Sequence, residues 1–294
     1  MAPLCTFPEY DSLDVNPPGL LSPWTAEPVV TALVAAAAVF FVRGFVRLRR
    51  RGRSDHAPWT RVPLFLLGLA FCALPLVSPL DELGDRYLLS AHMLQHMLIG
   101  DAGPALLLAA VRGPLLFFVI PSSVLRAAAH SSRFRAAASW VLRPVVALPA
   151  WALAFGVWHV PGIYDYAASH PAVHRLEHAC FLGAGFLVWT LIIDPARRGH
   201  LSRGRRLALI GALFALGTVL ADVLIFSLTP LYPAYRAQPH RVFGLSPLHD
   251  QQLAGLVMTV EQLVVLGTCA AILLLPELRR RRSTRHLVGA RQPA

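Results

Sequence analysis

Charged residues are scarce in this 294-residue chain: they make up 15% of the sequence, whereas 55% of the residues are hydrophobic. A soluble globular domain carries about a quarter charged residues. The shortage of charge, together with several long apolar runs, excludes an ordinary soluble protein, and the high hydrophobicity excludes a disordered chain. The composition is that of a membrane protein.

Lysine is absent, so all 27 basic residues are arginine, and the formal net charge is +11. A chain this basic could bind nucleic acid, but its arginines lie between apolar segments, as the topology of a membrane protein requires. Cysteine is also rare. The chain has four cysteines, which are isolated from one another and form no Cys-x-x-Cys motif. We therefore expect neither a nucleic-acid partner nor a disulfide framework.

Seven apolar segments are long enough to cross a hydrocarbon layer of about 30 Å as helices. They are approximately Ala26–Val46, Val62–Leu80, Tyr87–Val111, Val145–Ile163, Ala172–Ile193, Leu207–Leu228 and Leu253–Leu275. An eighth apolar stretch, Pro114–Leu125, is too short to span, and we expect it to be interfacial or re-entrant. The sequence therefore predicts an all-α, multi-pass bundle of seven transmembrane helices that forms one domain over residues 1–294.

The arginines predict the orientation of this bundle. Four regions on one side of the predicted membrane hold 23 of the 27 arginines, and they are residues 43–61, 112–143, 197–206 and the tail from Arg279. Cytoplasmic loops carry an excess of arginine and lysine. The N-terminus is therefore predicted to lie outside and the C-terminus in the cytoplasm.

Five histidines lie near the outer ends of three predicted spans, and they are His92, His96, His159, His174 and His178. Ionisable side chains inside a membrane are costly, so each is a candidate functional residue. Two pairs, His92/His96 and His174/His178, have the i, i+4 spacing that places two imidazoles on one helix face. This spacing allows two ring nitrogens to reach one metal ion.

Methionines accompany the first histidine pair, because Met93 and Met97 repeat the same spacing one position further along. Imidazole binds copper, zinc, nickel and iron, whereas a thioether selects Cu(I). Histidine together with methionine therefore favours copper as the metal.

Several carboxylates could support such a site. Glu177 directly precedes His178, and a metal-bound histidine commonly donates its other N–H to a carboxylate. Asp101, Asp222 and Glu261 fall inside predicted spans, where carboxyl groups relay protons, pair with histidines or hydrogen-bond between helices in the neutral form. We assign Asp101 and Asp222 to a candidate ion path.

Two other functional interpretations of the histidines remain open, a zinc peptidase and a haem-binding protein. His174-x-x-Glu177-His178 matches the inverted zincin motif of zinc peptidases, in which the glutamate activates water, although the chain shows no separate catalytic domain. Paired histidines on different helices could also ligate haem, although two nitrogens on one helix approach from the same side.

Five motifs in order resemble the CtaG family of cytochrome c oxidase assembly factors, which serves the bacterial caa3-type oxidase. They are Ser90–Leu98, Trp158-His159-x-Pro161-x-x-Tyr164, His174-x-x-Glu177-His178, Thr229–Tyr235 and Leu245–Gly255. The resemblance covers residues 87–275. It implies a multi-pass protein of the bacterial plasma membrane that matures a haem–copper oxidase.

The positions that match the polar motifs of the family are His92, His96, His159, His174, His178 and Asp250. Together with the ligand chemistry, the resemblance predicts a non-enzymatic copper site at the outer side of the membrane, assisted by Met93 and Met97. Asp250 joins the candidate ion path. The expected partners are an oxidase subunit, an extracytoplasmic copper chaperone and the lipid bilayer. A metal-free assembly scaffold and a membrane copper transporter are the alternatives.

Overall fold

A computed structural model describes residues 24–289 except residues 200 and 240, with side chains as far as Leu275. The regular structure of these residues is helical, and the predicted all-α class is confirmed. Residues 1–23, which include the N-terminus predicted to face the outer side of the membrane, lie outside the described residues. The same holds for the side chains of the arginine-rich tail. The long and short α-helices are α1 (Pro28–Arg50), α2 (Arg61–Val77), α3 (Pro79–Arg86), α4 (Leu89–Met97), α5 (Gly103–Val111), α6 (Pro114–Val119), α7 (Ser122–His130), α8 (Ser132–Val141), α9 (Pro144–Trp158), α10 (Pro161–Ser169), α11 (Pro171–Ile193), α12 (Arg203–Phe226), α13 (Pro233–Arg236) and α14 (Pro247–Gly289).

Six stretches of the described chain are long and apolar enough to cross a membrane, and they correspond to six of the seven predicted spans. They are Pro28–Arg50, Ser54–Val77, Leu89–Val111, Pro171–Ile193, Arg203–Phe226 and Pro247–Leu275. The remaining predicted span corresponds to α9, which reaches the required length only together with α8 across a bend of 71°. The multi-pass helical bundle is thus confirmed with six or seven spans, while the orientation of the termini stays a prediction.

Helix α9 is shorter than the predicted span Val145–Ile163. It ends at Trp158, and at about 1.5 Å per residue its 15 residues measure about 22 Å. Pro161 is the reason, because a proline disfavours the helical conformation of the residue before it, and Val160 is extended. His159 therefore stands at the end of a helix rather than inside one.

The apolar stretch Pro114–Leu125 does not form a span. It is divided between α6 and α7, which are broken at Ile120 and Pro121, where the backbone is extended. Helix α6 packs against α1, and Leu115 is completely buried. Its depth in a membrane remains a prediction.

Helices α4 and α5 form one continuous rod, joined by a π-helical segment at Leu98–Ala102. This rod crosses α11 where Gly100 faces Gly185. A Cβ atom on Gly185 would overlap the carbonyl oxygen of Gly100, so the two backbones touch. The absence of a side chain at Gly185 thus allows the two histidine-bearing helices to approach each other.

The start of α4 is held by a side chain from α14. Asp250 accepts hydrogen bonds from the backbone N–H groups of Leu89 (2.7 Å) and Ser90 (3.2 Å) and from the Ser90 hydroxyl (2.6 Å). The first N–H groups of a helix lack partners within the helix, and a carboxylate also complements the positive end of the helix dipole. Asp250 thereby fixes the helix that carries His92 and His96.

Candidate metal centre

Two histidine pairs from α4 and α11 come together in the structure. One ligand atom from each of His92, His96, His174 and Glu177 lies within 4.8 Å of the others. The rings of the two helices are also close, because the His92 and His174 centroids are 5.3 Å apart and those of His96 and His178 are 5.1 Å apart. The i, i+4 spacing on both helices directs these side chains to their shared interface.

The facing atoms of this cluster are buried and have no hydrogen-bond partner among the described residues. Both ring nitrogens of His92 and His96, the Nε2 atoms of His174 and His178, and Oε1 of Glu177 are in this condition. The Nε2 atom of His96 lies 3.7 Å from Oε1 of Glu177, which is close but longer than a hydrogen bond. Buried polar atoms are nearly always hydrogen-bonded, so this concentration calls for a functional explanation.

Asp85 stands at the edge of the cluster and was not predicted as a site residue. Its Oδ1 atom is 3.7 Å from Nδ1 of His92 and 3.5 Å from Nε2 of His174, and its side chain is 34% exposed. It is the most accessible carboxylate in contact with these histidines among the described residues. The signal for it in the sequence is its place at the end of a short acidic segment, seven residues before His92.

His159 lies beside the cluster and not within the group of four. Its Nδ1 atom contacts the carbonyl oxygen of Phe155 at 2.7 Å, and its Nε2 atom contacts Sδ of Met93 at 3.2 Å. An imidazole and a thioether thus face each other, which is the combination of donors predicted from the sequence. Met97 is buried and lines a cavity together with His96 and Asp101.

Gln95 anchors α4 to the preceding helices. Its Nε2 atom donates to the carbonyl oxygen of Pro75 (2.8 Å) and to Oδ1 of Asp81 (2.6 Å). The residue four positions after Pro75 is Pro79, which has no N–H, so the Pro75 carbonyl lacks its helical donor. The amide of Gln95 supplies this donor and so holds the neighbouring His96 in place.

Buried tyrosines form the wall behind His92. The ring of Tyr164 contacts the His92 ring edge-on at 5.1 Å, and its hydroxyl lies 2.6 Å from that of Tyr235. The Tyr235 hydroxyl donates to the carbonyl oxygen of Gly84 at 2.6 Å. Burial raises the pKa of Tyr164 well above its ordinary value, so that the phenol keeps its proton.

The predicted carboxylates of the ion path have separate surroundings. Asp101 accepts a hydrogen bond from Nε1 of Trp189 and lies beside Glu261, whose two carboxylate oxygens are buried. Asp222 lies on an exposed face of α12. Asp250 caps α4 as described above. The role of these residues in moving an ion stays a prediction.

The comparisons with known proteins add to this geometry. The family model for the cytochrome c oxidase caa3 assembly factor (Caa3_CtaG) matches residues 39–280. The chain belongs to this family. The CtaG match includes both histidine helices, Asp85 and His159, and it confirms the resemblance inferred from the motifs. The protein is thus a helical membrane protein and an assembly factor for cytochrome c oxidase, which implies an oxidase partner. Neither the curated proteins nor the solved structures contain a significant match to this CtaG chain.

Proposed function

We propose that this CtaG-family protein binds copper as cargo at His92, His96, His174 and Glu177 and delivers it to the oxidase that it helps to assemble. The observation that carries the proposal is the convergence of three imidazoles and one carboxylate, whose facing atoms are buried with no hydrogen-bond partner in the described chain. Ligand atoms about 2 Å from one ion lie about 3–4 Å apart, so small side-chain rotations suffice to bind it.

The donors favour copper over other metals. Imidazole alone suits copper, zinc, nickel and iron. The thioether of Met93, which contacts His159 beside the cluster, adds a ligand type that selects Cu(I). Copper is also the cargo expected of an assembly factor for a haem–copper oxidase, because the oxidase must receive copper during its assembly.

Delivery requires that the ion can enter and leave. The His92 and His96 side chains are 2% exposed, whereas that of His174 is 12% exposed and that of Asp85 is 34% exposed. The route to the exterior therefore passes Asp85, whose carboxylate attracts a cation towards His92 and His174. We place the oxidase subunit, and the extracytoplasmic chaperone that supplies the copper, at this end of the bundle.

The arginine distribution supports the corresponding location. The cluster is near the helix ends opposite the four arginine-rich regions, which is the outer side under the positive-inside rule. We accordingly assign the protein to the bacterial plasma membrane, with the site facing outward.

The test is metal analysis of the purified full-length protein after loading with Cu(I) and removal of loosely bound metal. The His92→Ala/His96→Ala double variant is expected to lose most of its copper and to fail to support oxidase assembly. His249→Ala is the matched control, because His249 is an exposed histidine outside the cluster, and it should retain its copper.

Full copper stoichiometry in the double variant would overturn the ligand assignment. Normal oxidase assembly without copper binding would identify a metal-free scaffold. Zinc in the protein, with proteolysis abolished by Glu177→Gln, would favour a peptidase, and a Soret band would indicate haem. Copper uptake into proteoliposomes would identify a transporter.

A further inference from the structure

Four arginines from separate parts of the chain meet at the end of the bundle opposite the histidine cluster. Arg61 begins α2, Arg112 follows α5, Arg197 lies in the loop after α11, and Arg206 is in the first turn of α12. Arg61 is close enough to Arg112 and Arg197 for their positive charges to repel each other. Arg206 is close enough to Arg112 for the same repulsion. The tertiary structure thus concentrates positive charge from segments that are distant in sequence.

The turn between α5 and α6 holds this cluster together. Gly113 has a φ of +87°, and its N–H donates to the carbonyl oxygen of Pro195 at 2.7 Å. A Cβ atom on Gly113 would lie 3.3 Å from Nε of Arg197, so the Arg197 side chain packs directly over the turn. The loop after α11 therefore delivers Arg197 next to Arg112.

The carboxylate of Asp194 offsets this positive charge only in part. Asp194 pairs with Arg206 at 3.1 Å and accepts hydrogen bonds from the backbone N–H groups of Arg198 and Gly199. Among the described residues no carboxylate lies within ion-pairing distance of Arg61, Arg112 or Arg197. Four guanidinium groups and one carboxylate leave a local charge of about +3.

Arg112 is the member with unused hydrogen-bonding capacity. Its Nε atom is buried and has no hydrogen-bond partner among residues 24–289 as the structure describes them. Burial, followed by the charges of Arg197 and Arg206, lowers the pKa of this guanidinium. By contrast, Arg61 donates to the carbonyl oxygens of Ala109 and Ala110 at the end of α5. Within the described part of the chain, the side chains of Arg112 and Arg197 donate no hydrogen bond, so these two groups are the ones to assign to an anion.

We infer that Arg112 and Arg197, supported by Arg61 and Arg206, bind one phosphate group, carried either by an anionic phospholipid or by free inorganic phosphate. The planar guanidinium fork matches phosphate oxygens in a bidentate manner. Basic pockets between transmembrane helices on the cytoplasmic side bind anionic headgroups, and this cluster lies in the arginine-rich regions assigned to that side.

The experiment measures binding of short-chain phosphatidylglycerol to the purified full-length protein in neutral detergent by native mass spectrometry. Phosphatidylcholine and inorganic phosphate are measured in parallel. Phosphatidylglycerol is expected to bind more tightly than phosphatidylcholine. Because a hydrogen bond to a charged group is stronger than one between neutral groups, Arg112→Gln should weaken this binding about tenfold or more.

The control is Arg126→Gln, which removes an exposed arginine of α7 from the same side of the bundle. It should leave the affinity unchanged. Arg197→Gln alters an exposed side chain and provides a second test if Arg112→Gln does not fold. An arginine-dependent affinity for inorganic phosphate, with no preference for phosphatidylglycerol over phosphatidylcholine, would support the phosphate site and assign it to the free anion.

The inference is overturned if Arg112→Gln, or Arg197→Gln in its place, binds all three ligands as the unaltered protein does. It is also overturned if Arg126→Gln weakens lipid binding equally, because the attraction would then be a general property of the basic surface. The His92→Ala/His96→Ala variant should bind phosphatidylglycerol normally, which separates this site from the copper site.

Discussion

The Nε2 atom of His96 and the Oε1 atom of Glu177 face each other at 3.7 Å across the interface of α4 and α11, with both side chains 2% exposed. Neither atom has a hydrogen-bond partner within the part of the chain that the structure describes. An unpaired carboxylate and two unpaired ring nitrogens in a water-excluded interior are destabilising unless a proton or a cation joins them. This relationship places Glu177 within the candidate metal cluster rather than only beside it as a support for His178.

Replacing Glu177 with glutamine tests this interpretation, because the side chain keeps its size and loses its charge. We expect the affinity for copper to fall about tenfold or more, because the loss even of a residue that only supports a metal ligand has an effect of this size. The affinity is measured by competition with a chelator. Arg175→Gln is the control, since Arg175 is exposed on the same helix. Equal affinities of Glu177→Gln and the unaltered protein would remove Glu177 from the site.

Replacing Gly185 with alanine tests the approach of the two histidine helices. The new Cβ would overlap the carbonyl oxygen of Gly100, so the helices must separate at a cost of about 1–3 kcal/mol. We expect a lower unfolding temperature and weaker copper binding. Gly183→Ala is the matched control, because a Cβ there has no heavy atom within 4 Å. If the two variants behave alike, the close contact does not hold the site together.

Replacing Asp250 with alanine tests its role as a cap. The start of α4 loses three hydrogen bonds to the carboxylate, and loss of a helix cap typically costs about 1–2 kcal/mol. The expected result is a lower free energy of unfolding in denaturant. Asp222→Ala, at an exposed position of α12, should have a small effect. A stable Asp250→Ala variant that has lost copper binding would instead support the predicted ion path.

Replacing Asp81 with asparagine tests a pH dependence. Burial, followed by the charge of Asp85, raises the pKa of Asp81 to about 7, against the opposing effect of the hydrogen bond from Gln95. The folded pKa is above the unfolded one, so the stability associated with protonated Asp81 is lost as the pH rises from about 4 to about 7.

Asparagine keeps an acceptor for Gln95 but does not ionise. The unfolding temperature of Asp81→Asn should therefore exceed that of the unaltered protein at pH 8, and the difference should shrink towards pH 4. Glu82→Gln, on the exposed side of the same helix, is the control. A difference that is constant over this pH range would contradict the assignment.

Much of the fold was predictable because transmembrane segments are defined by their local composition. Six predicted spans correspond to apolar helices of sufficient length. The exception is Val145–Ile163, where hydropathy continues through Val160 and Ile163 although Pro161 ends the helix. A hydropathy pattern reports burial in lipid and does not detect a break that apolar residues surround.

The sequence alone determined which side chains share a helix face, because the i, i+4 spacing of His92/His96 and of His174/His178 follows from helix geometry. It did not determine that α4 lies against α11, which depends on the contact of Gly100 with Gly185, or that Asp85 joins the cluster while His159 turns to Met93. These relationships join residues far apart in the chain, and only the packing of the complete bundle sets the distances between them.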